Sequence, residues 1–153
     1  MISTRRKAMI GGVSLSAIGA AGGIGWSRIR PKPEIVNIDA VEVYDRVRSG
    51  SVLLLDIRRP EEWALTGLAD GAVPLDMRRR DFIEALSALA GPDRSQPVAL
   101  ICAAGVRSAH MARQLEQAGF TTILNVPEGM TGSSAGPGWL RRGLPRVAWD
   151  GSA

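Results

Sequence analysis

The chain has 153 residues, of which 45% are hydrophobic and 22% are charged, a composition typical of one folded domain with a short extension. It holds one cysteine and one histidine, which excludes an internal disulfide and argues against a metal site. No cofactor is expected. Residues 33–153 hold 13 Arg and 15 Asp or Glu, a net charge of −2, so the basic excess lies in residues 1–32. This distribution argues against a nucleic-acid partner, because such a protein carries its positive charge on the folded domain.

Residues 1–32 have the pattern of an export signal. Arg5, Arg6 and Lys7 precede residues 8–26, which carry no charge and contain six glycines and two serines. The arginine pair resembles the twin-arginine signal, and the weakly hydrophobic run fits that class. We therefore expect the domain at residues 33–149 to reach the periplasm, or to be tethered through residues 8–26 to the periplasmic face of the inner membrane. The alternative is an N-terminal helix packed on the domain, which the glycine content disfavours.

Strand and helix patterns alternate from residue 33 onward. We predict strands at 35–37, 52–57, 71–75, 98–102 and 122–126, and helices at 39–48, 60–67, 81–89 and 107–118. No element is predicted in the Gly- and Pro-rich residues 128–149. Alternating units with buried strands predict an α/β fold, a parallel β-sheet of about five strands with helices on both faces. The functional site of such a sheet lies at the C-terminal ends of its strands, where Cys102 is found.

Cys102 is the candidate catalytic residue because of the loop and helix that follow it. The segment Cys102–Ser108 (CAAGVRS) passes from a strand end through a glycine-containing loop to a helix start. Backbone N–H groups turned inward, the helix N-terminus and the guanidinium of Arg107 would each favour a thiolate and could hold an oxyanion. The alternative is a buried, inert cysteine. We expect His110 to be a solvated helix residue rather than a partner of the thiol.

Several motifs together resemble those of the rhodanese-like domains. The active-site strand and loop of that family resemble Val98–Ser108, and the motif after its second strand resembles residues 56–63 (DIRRPEEW). Its next segment resembles residues 71–75 (GAVPL), and its closing section resembles residues 119–130 together with Trp139 and residues 143–145. These motifs occur in order over residues 34–147.

The resemblance implies a sulfurtransferase. The thiolate of Cys102 would take the sulfane sulfur of thiosulfate or another donor as a persulfide and pass it to cyanide or a thiol, including a thiol on a protein. It also implies that Arg58 supports the site through ion pairing. The substrate-binding loop would consist of Ala103, Ala104, Gly105, Val106, Arg107 and Ser108.

Three features of the sequence bear on the alternatives. Four residues separate Cys102 from Arg107, one fewer than in the phosphatases of this fold, which disfavours a phosphatase or an arsenate reductase. Many active relatives carry arginine where this chain has Ala103, so attraction for thiosulfate is expected to be weaker. Residues 130–139 lengthen the closing loop and are expected either to cover the site and select the donor or to form a flexible surface insertion.

A non-catalytic rhodanese-like module that docks sulfur species or a protein in the cell envelope remains the second function class.

Overall fold

The strands and helices alternate along the chain as the sequence predicts, except that two short strands follow one another after the second helix. The computed structural model describes residues 32–92 and 94–151, so the expected export signal lies outside the described residues, Lys32 excepted. In chain order the elements are β1 (Glu34–Asn37), α1 (Ala40–Arg48), β2 (Leu53–Asp56), α2 (Pro60–Thr66), β3 (Leu68–Ala69), β4 (Val73–Pro74), α3 (Phe82–Ala90), β5 (Val98–Ile101), α4 (Val106–Gln117), β6 (Thr122–Asn125), α5 (Gly138–Arg141) and β7 (Arg146–Val147).

Five of the strands form one parallel sheet in the order β1-β6-β5-β2-β4. At its centre, Leu100 of β5 lies opposite Leu55 of β2 on one side and Asn125 of β6 on the other. All four residues of β5 are buried, as expected of a central strand covered on both faces. Strands β3 and β7 pair antiparallel in a separate small sheet. The predicted α/β class and the five-stranded parallel sheet are confirmed.

Helices cover both faces of the five-stranded sheet. Successive strand residues point to opposite faces, and this alternation divides the buried side chains into two cores. One core joins Leu55 and Leu100 to side chains of α3 and α4. The other joins Leu54 and Ile101 to side chains of α1 and α5. The parallel strands therefore end together at one edge of the sheet, between the helix layers, and Cys102, which follows β5, lies at this edge.

The element boundaries agree closely with the capping and turn residues of the sequence. Helix α1 begins after Asp39, whose Oδ1 accepts hydrogen bonds from the backbone N–H groups of Val41 and Glu42, both at 2.9 Å.

The predicted strand at residues 71–75 is shorter in the structure, and the other predicted elements are confirmed within one residue at each end. Elements β3, α5 and β7 were not predicted. They have two, four and two residues, too few to display an alternating or helical pattern.

Within residues 32–92 and 94–151, no helix is both long and apolar enough to cross a membrane. Residues 8–26, for which a tether is expected, lie outside that part of the chain.

Candidate active site

The sulfur of Cys102 lies inside the loop that joins β5 to α4. Its Sγ accepts a hydrogen bond from the backbone N–H of Gly105 at 3.2 Å. The thiol donates to Oγ of Ser108 at 3.5 Å, and that hydroxyl donates to the carbonyl oxygen of Gly105 at 3.0 Å. The residue is only 1% exposed. The loop thus supplies one of the expected backbone N–H contacts, and the sulfur is buried.

The loop depends on glycine because a second segment of backbone lies against it. Gly105 has φ of +85°, and a Cβ at this position would lie 2.0 Å from the carbonyl oxygen of Pro127. Gly129 has φ of +62°, and its Cβ would lie 2.4 Å from the carbonyl oxygen of Ala103. The backbone N–H of Met130 donates to the carbonyl oxygen of Cys102 at 2.8 Å. Residues 127–131 therefore fix the shape of the loop between β5 and α4, residues 102–105, which we call the sulfur-binding loop because it holds the sulfur of Cys102.

Arg107 is paired with Glu62 of α2. Its Nη1 and Nη2 donate to Oε2 and Oε1 of Glu62 at 2.7 and 2.6 Å, a bidentate pair. These hydrogen bonds raise the pKa of Arg107 and lower the pKa of Glu62 from their ordinary values. From the sequence, the guanidinium of Arg107 is expected to favour a thiolate at Cys102, but the structure places a carboxylate against that charge. The role of Arg107 toward a substrate stays a prediction, and its observed contact joins the start of α4 to the start of α2.

Arg58 is buried, with 1% of its surface exposed, in an ion pair with Asp56 at the end of β2. Its Nη2 donates to Oδ2 of Asp56 and to the carbonyl oxygen of Gly67, both at 2.7 Å. Its Nη1 donates to Oγ1 of Thr66 at 2.7 Å. The C-terminal end of α2 is thereby held to the end of β2. These contacts give Arg58 a supporting position, with its guanidinium directed to protein atoms.

His110 lies on the exposed side of α4. Its Nε2 forms a hydrogen bond with Nε2 of Gln114 at 2.9 Å, one turn along the helix. This agrees with the expectation of a solvated helix residue. Among the described residues, no group of three or more His, Cys, Asp or Glu side chains is arranged to hold a metal ion.

The lengthened closing segment, residues 130–139, is tied to the rest of the protein through Glu128. This carboxylate is 1% exposed and accepts hydrogen bonds from the backbone N–H groups of Ala40 at 2.7 Å and Gly138 at 2.8 Å. Nε of Arg142 donates to it as well, at 2.9 Å. Burial opposes ionisation of Glu128, but these hydrogen bonds outweigh burial and lower its pKa. The closing segment borders the loop at Thr131, whose N–H donates to the carbonyl oxygen of Ala103 at 2.9 Å.

Sequence reasoning did not identify Glu62 or Glu128 as partners of the site. Glu62 lies within the motif at residues 56–63, so its position in that motif was the available signal. Its partner is 45 residues away along the chain, and the pairing depends on how α2 and α4 are placed. Glu128 accepts from Ala40 across 88 residues, and no local pattern indicates that contact.

Comparison with known proteins assigns this fold and loop to a family. Residues 39–135 match the family model described as a rhodanese-like domain. The chain belongs to the rhodanese-like family. The rhodanese-like chain is 30% identical, over 100 residues, to the Bacillus subtilis protein named "Putative sulfurtransferase YtwF". That match covers 63% of this chain and 88% of the relative, and it supports sulfur transfer as the broad activity.

Solved structures agree with this assignment. The polysulfide-sulfur transferase homodimer of Wolinella succinogenes is similar with a TM-score of 0.59 and 28% identity, over 76% of this chain and 81% of that one. The structure of Rv0390 from M. tuberculosis has a TM-score of 0.62 and 24% identity, over 76% of this chain and 99% of that one, and shares the fold. The family expected from the sequence motifs is therefore confirmed.

Proposed function

We propose that this rhodanese-like protein is a sulfurtransferase that carries a sulfane sulfur on Cys102. The position of Sγ supports this most directly: it follows the central strand, precedes α4 and accepts the N–H of Gly105 at 3.2 Å. A backbone N–H and the positive end of a helix stabilise a thiolate, and the thiolate is the nucleophile in sulfur transfer. The loop at residues 103–108 would hold the donor.

The reaction has two half-reactions, both of which conserve electrons. In the first, the thiolate of Cys102 attacks the outer sulfur of thiosulfate, the S–S bond of the donor breaks, and sulfite leaves with the bonding electron pair. In the second, cyanide or an acceptor thiolate attacks the outer sulfur of the persulfide, and Cys102 leaves as a thiolate. No external oxidant or reductant is required, and ping-pong kinetics are expected. The acceptor thiol can belong to a small molecule or to a protein.

The structure of the site constrains the identity of the sulfur donor less than the identity of the sulfur-carrying residue. Ala103 and the Glu62 carboxylate on Arg107 leave less positive charge beside the sulfur than a dianionic donor would favour. The similarity to the Wolinella succinogenes transferase, whose name specifies polysulfide, makes polysulfide the second donor to test.

The burial of Cys102 favours a second candidate function, a module that docks sulfur species or a protein partner without catalysis. With 1% of the residue exposed, a donor reaches the sulfur only after the protein atoms around Cys102 move apart. An inert thiol would remain covered, whereas a catalytic one must become accessible during the reaction.

Intact mass after incubation with a donor separates these two functions. We expect the full chain to gain one sulfur atom with thiosulfate or polysulfide, and to lose it on addition of cyanide or a dithiol. Cys102→Ser is the matched control and should gain nothing while keeping the circular dichroism of the parent. If the parent gains no sulfur with either donor, the sulfurtransferase proposal is wrong and the docking module is favoured.

The proposal also covers residues 1–32, as an export signal or an anchor. The paired Arg5 and Arg6 before the uncharged residues 8–26 support export to the periplasm, or retention at the periplasmic face of the inner membrane. The N-terminal sequence of the protein recovered from the periplasm and from the inner membrane tests this: a shortened chain indicates a cleaved signal, and an intact chain in the membrane indicates an anchor. Recovery from the cytoplasm alone would contradict it.

A further inference from the structure

The charge of Arg107, at the start of α4, is matched by one carboxylate, that of Glu62. The two side chains are joined by hydrogen bonds of 2.6 and 2.7 Å, and 30% of each side chain is exposed. A bidentate pair of this kind fixes the geometry of both groups. The pair therefore lies at the surface, next to the sulfur-binding loop, as a fixed unit that carries no net charge.

The charge of Arg107 also acts on the sulfur of Cys102. Hydrogen bonding to Glu62 is the main cause of the raised pKa of Arg107, and attraction to the charge of Cys102 adds a smaller part. Electrostatic interactions are mutual, so Arg107 attracts any anion that approaches the sulfur. The carboxylate of Glu62 opposes this attraction, because it carries the opposite charge at hydrogen-bond distance from the guanidinium. A donor at Cys102 therefore experiences the sum of the two charges.

Two further arginines at this edge of the sheet are also paired with carboxylates. Arg58 is paired with Asp56 at 2.7 Å, and Arg78 is paired with Asp76 at 2.5 Å just after β4. Neither pair adds net charge to the site. The N–H of Gly105 and the start of α4 still supply partial positive charge at the sulfur, about half an elementary charge for a helix N-terminus. This environment suits a donor with one negative charge better than a dianion.

We propose that Glu62 determines which sulfur donors the protein accepts, by cancelling the charge of Arg107 and thereby favouring monoanionic donors over dianionic ones. This inference rests on the proposed sulfurtransferase function. Thiosulfate carries two negative charges, whereas methanethiosulfonate has a methyl group in place of one charged oxygen and carries a single charge. The two donors have nearly the same shape. With either donor, the thiolate of Cys102 attacks the outer sulfur, the S–S bond breaks, and sulfite or methanesulfinate leaves with the bonding electron pair.

The ratio of kcat/KM for thiosulfate to kcat/KM for methanethiosulfonate, measured with the full chain, tests this selection. We expect Glu62→Gln to raise kcat/KM about tenfold for thiosulfate and about threefold for methanethiosulfonate, because the electrostatic energy is proportional to the charge of the donor. Both gains should shrink in about 1 M salt, which screens charges beyond roughly 3 Å. Glu62→Asp keeps the charge and should keep the parental ratio. Glu61→Gln is the matched control, since it removes the adjacent, exposed carboxylate of α2, which does not pair with Arg107.

Removal of the positive partner tests the opposite sign. Arg107→Gln should lower the ratio of thiosulfate to methanethiosulfonate about threefold, and combining it with Glu62→Gln, which again leaves no net charge, should return the ratio close to the parental value. The ratio is insensitive to a loss of folded protein, because such a loss affects both donors alike. An unchanged ratio in Glu62→Gln, or an equal change in Glu61→Gln, would overturn the inference even if Cys102 accepts sulfur. Absence of sulfur loading from both donors in every variant would overturn the proposed function and the inference with it.

Discussion

Gly105 occupies the position at which the sulfur-binding loop is most constrained. Its positive φ is one requirement and the approach of the Pro127 carbonyl oxygen is the other, because a Cβ would come within 2.0 Å of that oxygen. The N–H that Gly105 donates to Sγ of Cys102 depends on the same backbone conformation. A side chain at this residue should therefore disturb both the stability of the fold and the environment of the sulfur.

The substitution Gly105→Ala separates these requirements when it is compared with Gly50→Ala. Gly50 also has positive φ, +69°, but nothing lies within 4 Å of its Cβ position. We expect Gly50→Ala to lower the free energy of unfolding by about 1–3 kcal/mol through backbone strain alone. Gly105→Ala should cost a further ~1–3 kcal/mol because the loop and Pro127 must separate. Urea denaturation measures both costs, and equal costs would show that the close approach to Pro127 is unimportant.

The same two variants report on the sulfur. Gly105→Ala should lose sulfur loading of Cys102 in the mass assay, whereas Gly50→Ala should load as the parent does. Loading by Gly105→Ala at the parental level would show that the N–H of residue 105 does not support the thiolate.

Individual site residues differ in how far the sequence can predict them. Cys102 and Gly105 are local features, since a strand end, a glycine loop and a helix start are adjacent in the chain. The pairing of Arg107 with Glu62 is not local, because it depends on the contact between α4 and α2. The sequence therefore predicts the position of the nucleophile, while the charge balance around it requires the tertiary structure.

Among the elements, α1, α5 and the closing segment meet at one buried carboxylate. Glu128 accepts hydrogen bonds from Ala40 at the start of α1, from Gly138 at the start of α5 and from Arg142 just after α5. The pKa of Glu128 is lowered, so its ionised form stabilises the folded state above the ordinary value of 4.5. That stabilisation is lost as the pH falls through the lowered folded value.

We expect Glu128→Gln to reduce the free energy of unfolding at pH 7 by about 1–3 kcal/mol, the usual cost of disrupting hydrogen bonds to a buried charged group. The difference from the parent should shrink as the pH is lowered below 4.5, because the parent carboxylate then takes up a proton as well. Urea denaturation at several pH values measures this difference. Glu84→Gln, at an exposed residue of α3, is the control and should change stability little at any pH. A cost for Glu128→Gln that is the same at pH 3 and pH 7 would contradict the assigned role.

Elements long enough to show an alternating or helical pattern of hydrophobic residues were predictable from the sequence, and the shortest elements were not. The run Val98–Ile101 is apolar throughout because β5 lies at the centre of the sheet, and α1 carries its own cap in Asp39. Helix α5 has four residues, yet it places Trp139 in the core, where the indole Nε1 donates to the carbonyl oxygen of Pro145 at 2.7 Å. Its formation depends on tertiary contacts such as those of Glu128 and Trp139, which a local pattern does not reveal.

For the molecule as a whole, the two cores share the same strands. Leu54 and Leu55 are neighbours in β2 but belong to different cores, one beneath α1 and α5 and the other beneath α3 and α4. Loss of either core would leave one face of the sheet without cover, and a parallel sheet is stable only when both faces are covered. We therefore expect the two helix layers to unfold together.

Substitutions on opposite faces test this coupling. Leu54→Ala and Leu100→Ala each remove a side chain with no exposed surface, one from each core, and each should cost about 2–5 kcal/mol of unfolding free energy. Leu65→Ala, at a residue 84% exposed, should change it by less than about 0.5 kcal/mol. In both core variants, tryptophan fluorescence and far-ultraviolet circular dichroism should follow a single coincident transition, because unfolding of one face removes the support of the other. Two separate transitions in either variant would mean that the two helix layers unfold independently. The sulfur-binding loop leads from the shared strand β5 into α4. In that case it could open without loss of the core beneath α1 and α5.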